Sequence, residues 1–144
     1  MELAPIIKNE YVKVVELWEA SVRATHHFLK ESDILLFKDL IFNKYLDSVS
    51  LFAVRDCCGK ILGFMGVSDD NMEMLFVHPD AMGKGIGKSL VNYAISELGV
   101  KKVSVNEQNE QALAFYLKMG FNVIARSATD QQGKPYPLLH LSKS

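Results

Sequence analysis

Met74-Leu75-Phe76-Val77-His78-Pro79-Asp80-Ala81-Met82-Gly83-Lys84-Gly85-Ile86-Gly87-Lys88-Ser89-Leu90 is the stretch whose reading decides the fold. An apolar, strand-like run stops at a proline and passes into a loop with three glycines in five residues. The loop opens a helix-patterned segment flanked by lysines. A strand, a glycine turn and a helix start aim several backbone N–H groups at one point, an arrangement suited to a phosphate or pyrophosphate.

The segments on either side follow from hydrophobic period. Upstream, a short strand is expected over Leu3 to Ile7, and a helix from Glu10 to Thr25 with Tyr11, Val14, Val15, Trp18 and Val22 on one face. A second helix is expected from Ser32 to Tyr45, capped by Ser32 or Asp33, with Leu35, Leu36, Leu40 and Ile41 as its apolar stripe. Strands over Leu51–Arg55, Ile61–Val67 and Met72–Val77 form a meander around the Asp56–Gly59 and Asp69–Asn71 turns. Downstream come a helix to Leu98 stopped by Gly99, a strand over Lys102–Asn106, and a helix from Asn109 to Met119 stopped by Gly120. Strands over Phe121–Arg126 and Leu138–Leu141 close a late hairpin. The order is β-α-α-β-β-β-α-β-α-β-β, an α/β chain with one parallel crossover between antiparallel ends. It predicts a mixed sheet of about seven strands flanked by about four helices.

At 144 residues the chain reads as one domain over 1–144, large enough for a core without disulfides. A net charge of −1 argues against capture of a polyanion, so no nucleic-acid partner is expected. The two cysteines, Cys57 and Cys58, are adjacent and have no third partner, which points to a reducing compartment. No segment approaches membrane-spanning length, and a cytoplasmic, soluble protein without a membrane partner is expected.

Two familiar phosphate loops fail by one residue. A Walker-type loop ending in Gly87-Lys88-Ser89 requires glycine where Met82 stands, and a dinucleotide fingerprint beginning at Gly83 requires glycine where Lys88 stands. The pattern [Gln/Arg]-x-x-Gly-x-Gly fits from Met82, with Gly85 and Gly87 in the glycine places. Downstream lies Asn109-x-x-Ala112-x-x-Phe115-Tyr116-x-x-x-Gly120-Phe121. In these two elements and their order the chain resembles the GCN5-related N-acetyltransferase (GNAT) family. More narrowly, Ala24–Leu29, Asn106–Ala112 and Gly133–Leu139 are similar to the YjaB-type bacterial acetyltransferases.

The resemblance implies acetyl-CoA as cofactor. Its pyrophosphate would rest on Met82, Gly83, Lys84, Gly85, Ile86, Gly87, Lys88 and Ser89. Its pantetheine arm would lie along Leu75, Phe76 and Val77, against Asn109, Ala112, Phe115 and Tyr116. Met82 departs from the family's glutamine or arginine, leaving charge to Lys84 and Lys88. The implied reaction is acetyl transfer to a primary amine of a small molecule or protein by direct attack in a ternary complex. The alternative is a non-catalytic acyl-CoA-binding sensor; a nucleotide-binding protein is a third reading.

Such chemistry needs a neutral amine, and an alkyl amine of pKa about 10 is neutral about one part in a thousand at pH 7, a cost of roughly 4 kcal/mol. Tyr116 is the candidate acid for the departing thiolate, although Ala112, Phe115 and Met119 on its helical face also explain a packing tyrosine. Glu73 is the candidate base. Strand alternation puts it on the face of Leu75 and Val77, and an exposed strand glutamate explains it equally. Backbone N–H groups of Leu75 to Val77 would polarise the thioester carbonyl, which requires the two parallel strands to splay. Asn109 is a pantetheine partner or simply a helix cap. His26 and His27 are candidates to orient the acceptor or relay its proton, or else sit as cations at a helix C-terminus. Tyr136, with Lys134, is a candidate rim of the acceptor pocket. The histidines lack metal-ligand spacing, so no metal is expected. The acceptor stays open among antibiotic, polyamine, amino acid and protein N-terminus, as does a monomer or homodimer.

Overall fold

Apolar period and turn residues place the elements of the computed structural model, which describes residues 2–144. They are β1 (Glu2–Pro5), α1 (Tyr11–Thr25), α2 (Glu31–Leu40), β2 (Ser50–Arg55), β3 (Ile61–Ser68), β4 (Asn71–Val77), α3 (Ile86–Leu98), β5 (Lys102–Asn106), α4 (Glu110–Lys118), β6 (Phe121–Ser127) and β7 (Leu138–Lys143). The strands form one mixed sheet of seven in the order β1-β2-β3-β4-β5-β7-β6. Among the described residues only β4 and β5 pair in parallel, joined through α3 as the crossover requires.

Helices cover both faces. α3 and α4 press Leu90, Val91, Ala94 and Tyr116 onto Met65, Val103, Phe121 and Leu141. On the other face α1 and α2 bury Val14, Trp18, Val22 and Ile34 against Ala53 and Phe64. β3, covered on both sides, is buried from Gly63 to Val67 and reads as a continuous apolar run. The hairpin between β2 and β3 carries the exposed free thiols Cys57 and Cys58.

The second helix differs from its expectation. Its N-cap is Lys30, with no side-chain cap, while Asp33 is buried and accepts a hydrogen bond from the Tyr136 hydroxyl. The α-helix ends at Leu40 and continues as a π turn over Ile41–Tyr45. Ile34 and Ile41, with Phe37 between them, form the buried stripe, and Leu35 and Leu36 face outward. Two apolar stripes about 100° apart compete on this helix, and contact with α1 selects the one that includes Phe37.

Close approach of β3 to α3 depends on Gly63, where an added Cβ would lie 2.7 Å from Ile86 Cγ2 and 3.2 Å from the Phe76 carbonyl oxygen. Ile86 is buried at the start of α3 and has no room to retreat. Gly63→Ala is therefore expected to lower stability by about 1–3 kcal/mol. Urea denaturation checks this: the midpoint falls with an unchanged m-value, and an unchanged midpoint contradicts the packing account.

Candidate active site

A gap in the sheet organises the site. β4 and β5 pair only at Asn71↔Lys102 and Met72↔Val103, so the chain from Glu73 to Val77 has no partner on that side. The strands part where β4 is irregular: Val67 pairs with Met72 and Gly66 with Met74, leaving Glu73 as the extra residue of a β-bulge. A bulge bends its strand and re-aims the side chains beyond it. Met72, Leu75 and Val77 consequently pack with the α3/α4 core, while Met74 and Phe76 pack with the α1/α2 core. This corrects the alternation argument for Glu73. The bulge interrupts the regular alternation on which its face was read, and Glu73 is exposed and lines a cavity together with Met74, Tyr45 and Ser104.

The glycine loop opens at the far end of the gap. Gly83 and Gly85 both have φ of +78°, and Gly85 caps α3 in this left-handed conformation. The first backbone bond across the helix start is Ser89 N–H to Gly85 O at 3.0 Å. Among the described residues, the N–H groups from Gly83 to Lys88 have no hydrogen-bond partner. Six adjacent donors and the positive end of α3, with Lys88 lining the same cavity, make a cradle that fits a pyrophosphate. Met82 donates its N–H to Pro79 O at 3.4 Å and presents an exposed side chain to the rim.

Two cavities meet at the gap. One, of about 410 Å³, runs from the glycine loop along Val77, Gly87 and Phe115. The other, of about 600 Å³, opens between α1, the π turn and the loop before β7. Their shared walls are His26, Leu75, Phe76, Asn109, Ala112 and Tyr116. Of the sequence-predicted cofactor residues, Lys84 and Ser89 lie outside both cavities.

Tyr116 is buried at this junction, its ring held edge-on between Phe115 and Phe121 and its hydroxyl 4.0 Å from Met72 Sδ. Burial pushes the phenol upward from its ordinary pKa, so it keeps its proton under all working conditions. Such a group serves as an acid, not as a base.

His26 joins the two helices across the junction. Asn109 Oδ1 accepts the Ala112 N–H (3.2 Å), and Asn109 Nδ2 lies 3.4 Å from His26 Nε2. His26 Nδ1 lies 2.7 Å from Thr25 Oγ1, whose hydroxyl donates to Ser21 O at 2.7 Å. Donor direction fixes every member: Asn109 donates to Nε2, so Nδ1 carries the hydrogen and donates to Thr25. His26 is thus neutral. Burial between Phe28 and Phe76, with the neighbouring His27 as a lesser cause, pushes its pKa down to about 4. The alternative of a cation at the end of α1 does not hold for His26, because desolvation outweighs the helix dipole. His27 is exposed and lines neither cavity.

The larger cavity has Trp18, Phe37 and Ile41 as an apolar wall. Tyr136 is a buried part of that wall, not an exposed rim. Its hydroxyl bonds to Asp33 and accepts the Lys30 N–H at 3.3 Å, while Lys134 lies 3.3 Å from the same carboxylate. The Tyr136 hydrogen bond, then Lys134, hold the Asp33 carboxyl below its usual range. A second tie, Gln132 to the Tyr45 hydroxyl, joins the loop before β7 to the π turn at the cavity mouth. Neither tie had a sequence signal, because the partners lie 103 and 87 residues apart. Among the described residues no metal-binding cluster occurs and no helix is long and apolar enough to cross a membrane.

The acetyltransferase (GNAT) domain family matches residues 47–123. The chain is 42% identical over 134 residues to the peptidyl-lysine N-acetyltransferase YjaB of Escherichia coli (strain K12), covering 93% of this chain and 90% of the relative. The solution structure of apo-form YjaB from Escherichia coli superposes with a TM-score of 0.90 at 39% identity, over 98% of this chain and 95% of that one. A PaiA N-acetyltransferase from Thermoplasma acidophilum, solved in complex with coenzyme A, shares the fold at 20% identity with a TM-score of 0.74 over 99% and 98% of the two chains.

The neutral His26 has a measurable signature. Its folded pKa of about 4 lies below the unfolded value of about 6.5, so the unfolded chain binds more protons between these limits. The stability of burying it neutral is complete above about pH 6.5 and is lost as pH falls toward 4, by about 3 kcal/mol in all. Urea midpoints of the wild type and His26→Gln are expected to converge across that window; curves that stay parallel contradict the assignment.

Proposed function

We propose that this chain, which belongs to the GCN5-related N-acetyltransferase (GNAT) family and is an acetyl-CoA-dependent N-acetyltransferase, acetylates lysine side chains of peptides or proteins. The observation that carries the reading is the junction of two cavities at an unzipped strand pair, one ending on a pyrophosphate cradle and the other open to an acceptor. Acetyl-CoA supplies an acyl carbon already activated as a thioester.

The chain's own groups accomplish the rest. Backbone donors from Gly83 to Lys88 hold the phosphates, and Lys84 and Lys88 add charge. Residues Leu75 to Val77 present strand backbone to the gap, where an N–H polarises the carbonyl as an oxyanion donor. Tyr116 holds a proton at its hydroxyl for the departing sulfur. Apolar walls at Trp18, Phe37 and Ile41 suit the four-carbon stem of lysine, and Glu73 on the lip of the gap suits its ammonium group. The peptidyl-lysine activity named for the YjaB relatives supports the same acceptor class.

Thiol release from acetyl-CoA, scored with an amino-blocked lysine peptide, spermidine and free amino acids, tests the acceptor. The peptide is expected to turn over fastest, and release with spermidine but not with peptide overturns the assignment. Tyr116→Phe is expected to lower kcat by about 10²–10⁴-fold with the Kd for CoA unchanged. Equal turnover in the variant removes Tyr116 from the acid role.

A further inference from the structure

Ser104, His140 and Ser127 form a hydrogen-bonded row across β5, β7 and β6. Ser104 Oγ lies 2.9 Å from His140 Nδ1, and Ser127 Oγ lies 2.7 Å from His140 Nε2. Ser104 and His140 are ladder partners, and Ser127 reaches the ring diagonally from β6. Their strand neighbours Val103, Val105 and Leu141 point to the opposite face, buried under α3 and α4. The row therefore lies on the acceptor side of the sheet.

Its position bears on the reaction. Met72↔Val103 is the last β4–β5 pair, so Ser104 is the first β5 residue beyond it, at the lip of the gap. Glu73 holds the corresponding place on β4, and both line the larger cavity. Ser127 is half-exposed at the end of β6. The row thus runs from the acceptor cavity to the protein surface.

We propose that Ser104 is a catalytic residue that receives the acceptor's proton, and that His140 is the relay base behind it, passing the proton outward through Ser127. A neutral imidazole has one donor and one acceptor nitrogen. Export from the cavity requires Ser104 to donate to Nδ1 and Nε2–H to donate to Ser127. An ammonium N–H bond breaks as a Ser104 O–H bond forms, while the former Ser104 proton moves to Nδ1. The imidazolium then gives its Nε2 proton to Ser127, whose own proton passes to water. The amine keeps its lone pair for the acyl carbon. Overall, ammonium and thioester become amide, thiol and one proton, and that one proton is what the row carries out. Imidazole suits the task because it can take a proton on one ring nitrogen while releasing one from the other. The charged groups around the row are Glu73 on β4, Lys102 on β5, Lys44 of the π turn, Asp130 after β6, and the mutually paired Arg126 and Glu107.

The inference rests on the amine-acetylation reading, and two measurements separate their failures. Nitrogen-15 imidazole NMR of the CoA-bound protein is expected to show His140 with its hydrogen on Nε2; hydrogen on Nδ1 overturns the relay whatever the acceptor. Acetylation of a lysine peptide is expected to fall about 100-fold in kcat in both Ser104→Ala and His140→Asn, with the acid limb of the kcat pH profile flattened and CoA affinity unchanged. Variants that keep the wild-type rate and limb overturn the relay, whereas a wild type that leaves the peptide untouched overturns the lysine assignment and leaves the tautomer to decide the row.

Discussion

The strand pair that fails to close is the constraint on which the rest of this structure depends. A parallel ladder between β4 and β5 would seal the sheet, yet it stops after Met72↔Val103. One inserted residue, Glu73, sets the divergence by bulging β4 against β3. Strand groups left without a ladder partner cost about 1–3 kcal/mol each when they are also kept from water. Opening onto two cavities keeps these groups solvated and available to a ligand that bonds as a strand does. The same bulge exchanges which side chains face which core, so one insertion both accompanies the opening of the slot and leaves Glu73 on the wall of the larger cavity.

Around that slot two hydrogen-bonded ties join elements that lie far apart in the sequence. His26 and Asn109 join α1 to α4 through a neutral, directionally fixed chain, and Tyr136 with Asp33 joins the loop before β7 to α2. Buried hydrogen-bonded groups of this kind specify a geometry more than they add stability. The first tie lies in the wall shared by both cavities, and the second braces Tyr136 in the wall of the larger one.

Much of this was legible in the sequence, for identifiable reasons. The Met74–Leu90 stretch, the Asn109–Phe121 block and the turn residues specify the strand–loop–helix order by local chemistry, and the seven strands and four helices follow. What local reasoning missed depended on tertiary choice. Period alone could not choose between the Leu35/Leu36 and Ile34/Phe37 faces of α2, nor foresee that Asp33 would serve Tyr136 instead of capping its helix. Strand alternation failed at Glu73 because a bulge depends on the partner strand as well as on the strand itself. The burial of His26 and the Ser104–His140–Ser127 row had no sequence signal, since each joins residues brought together only by the folded sheet.

Amide hydrogen exchange on the free and CoA-saturated protein tests the central claim most directly. Unpaired donors in the glycine loop and along the open edge of β4 predict fast exchange for Gly83 to Lys88 and for part of Leu75 to Val77 in the free protein, slowing sharply when CoA is added. Protection already present without ligand, or exchange unchanged at saturating CoA, would contradict it.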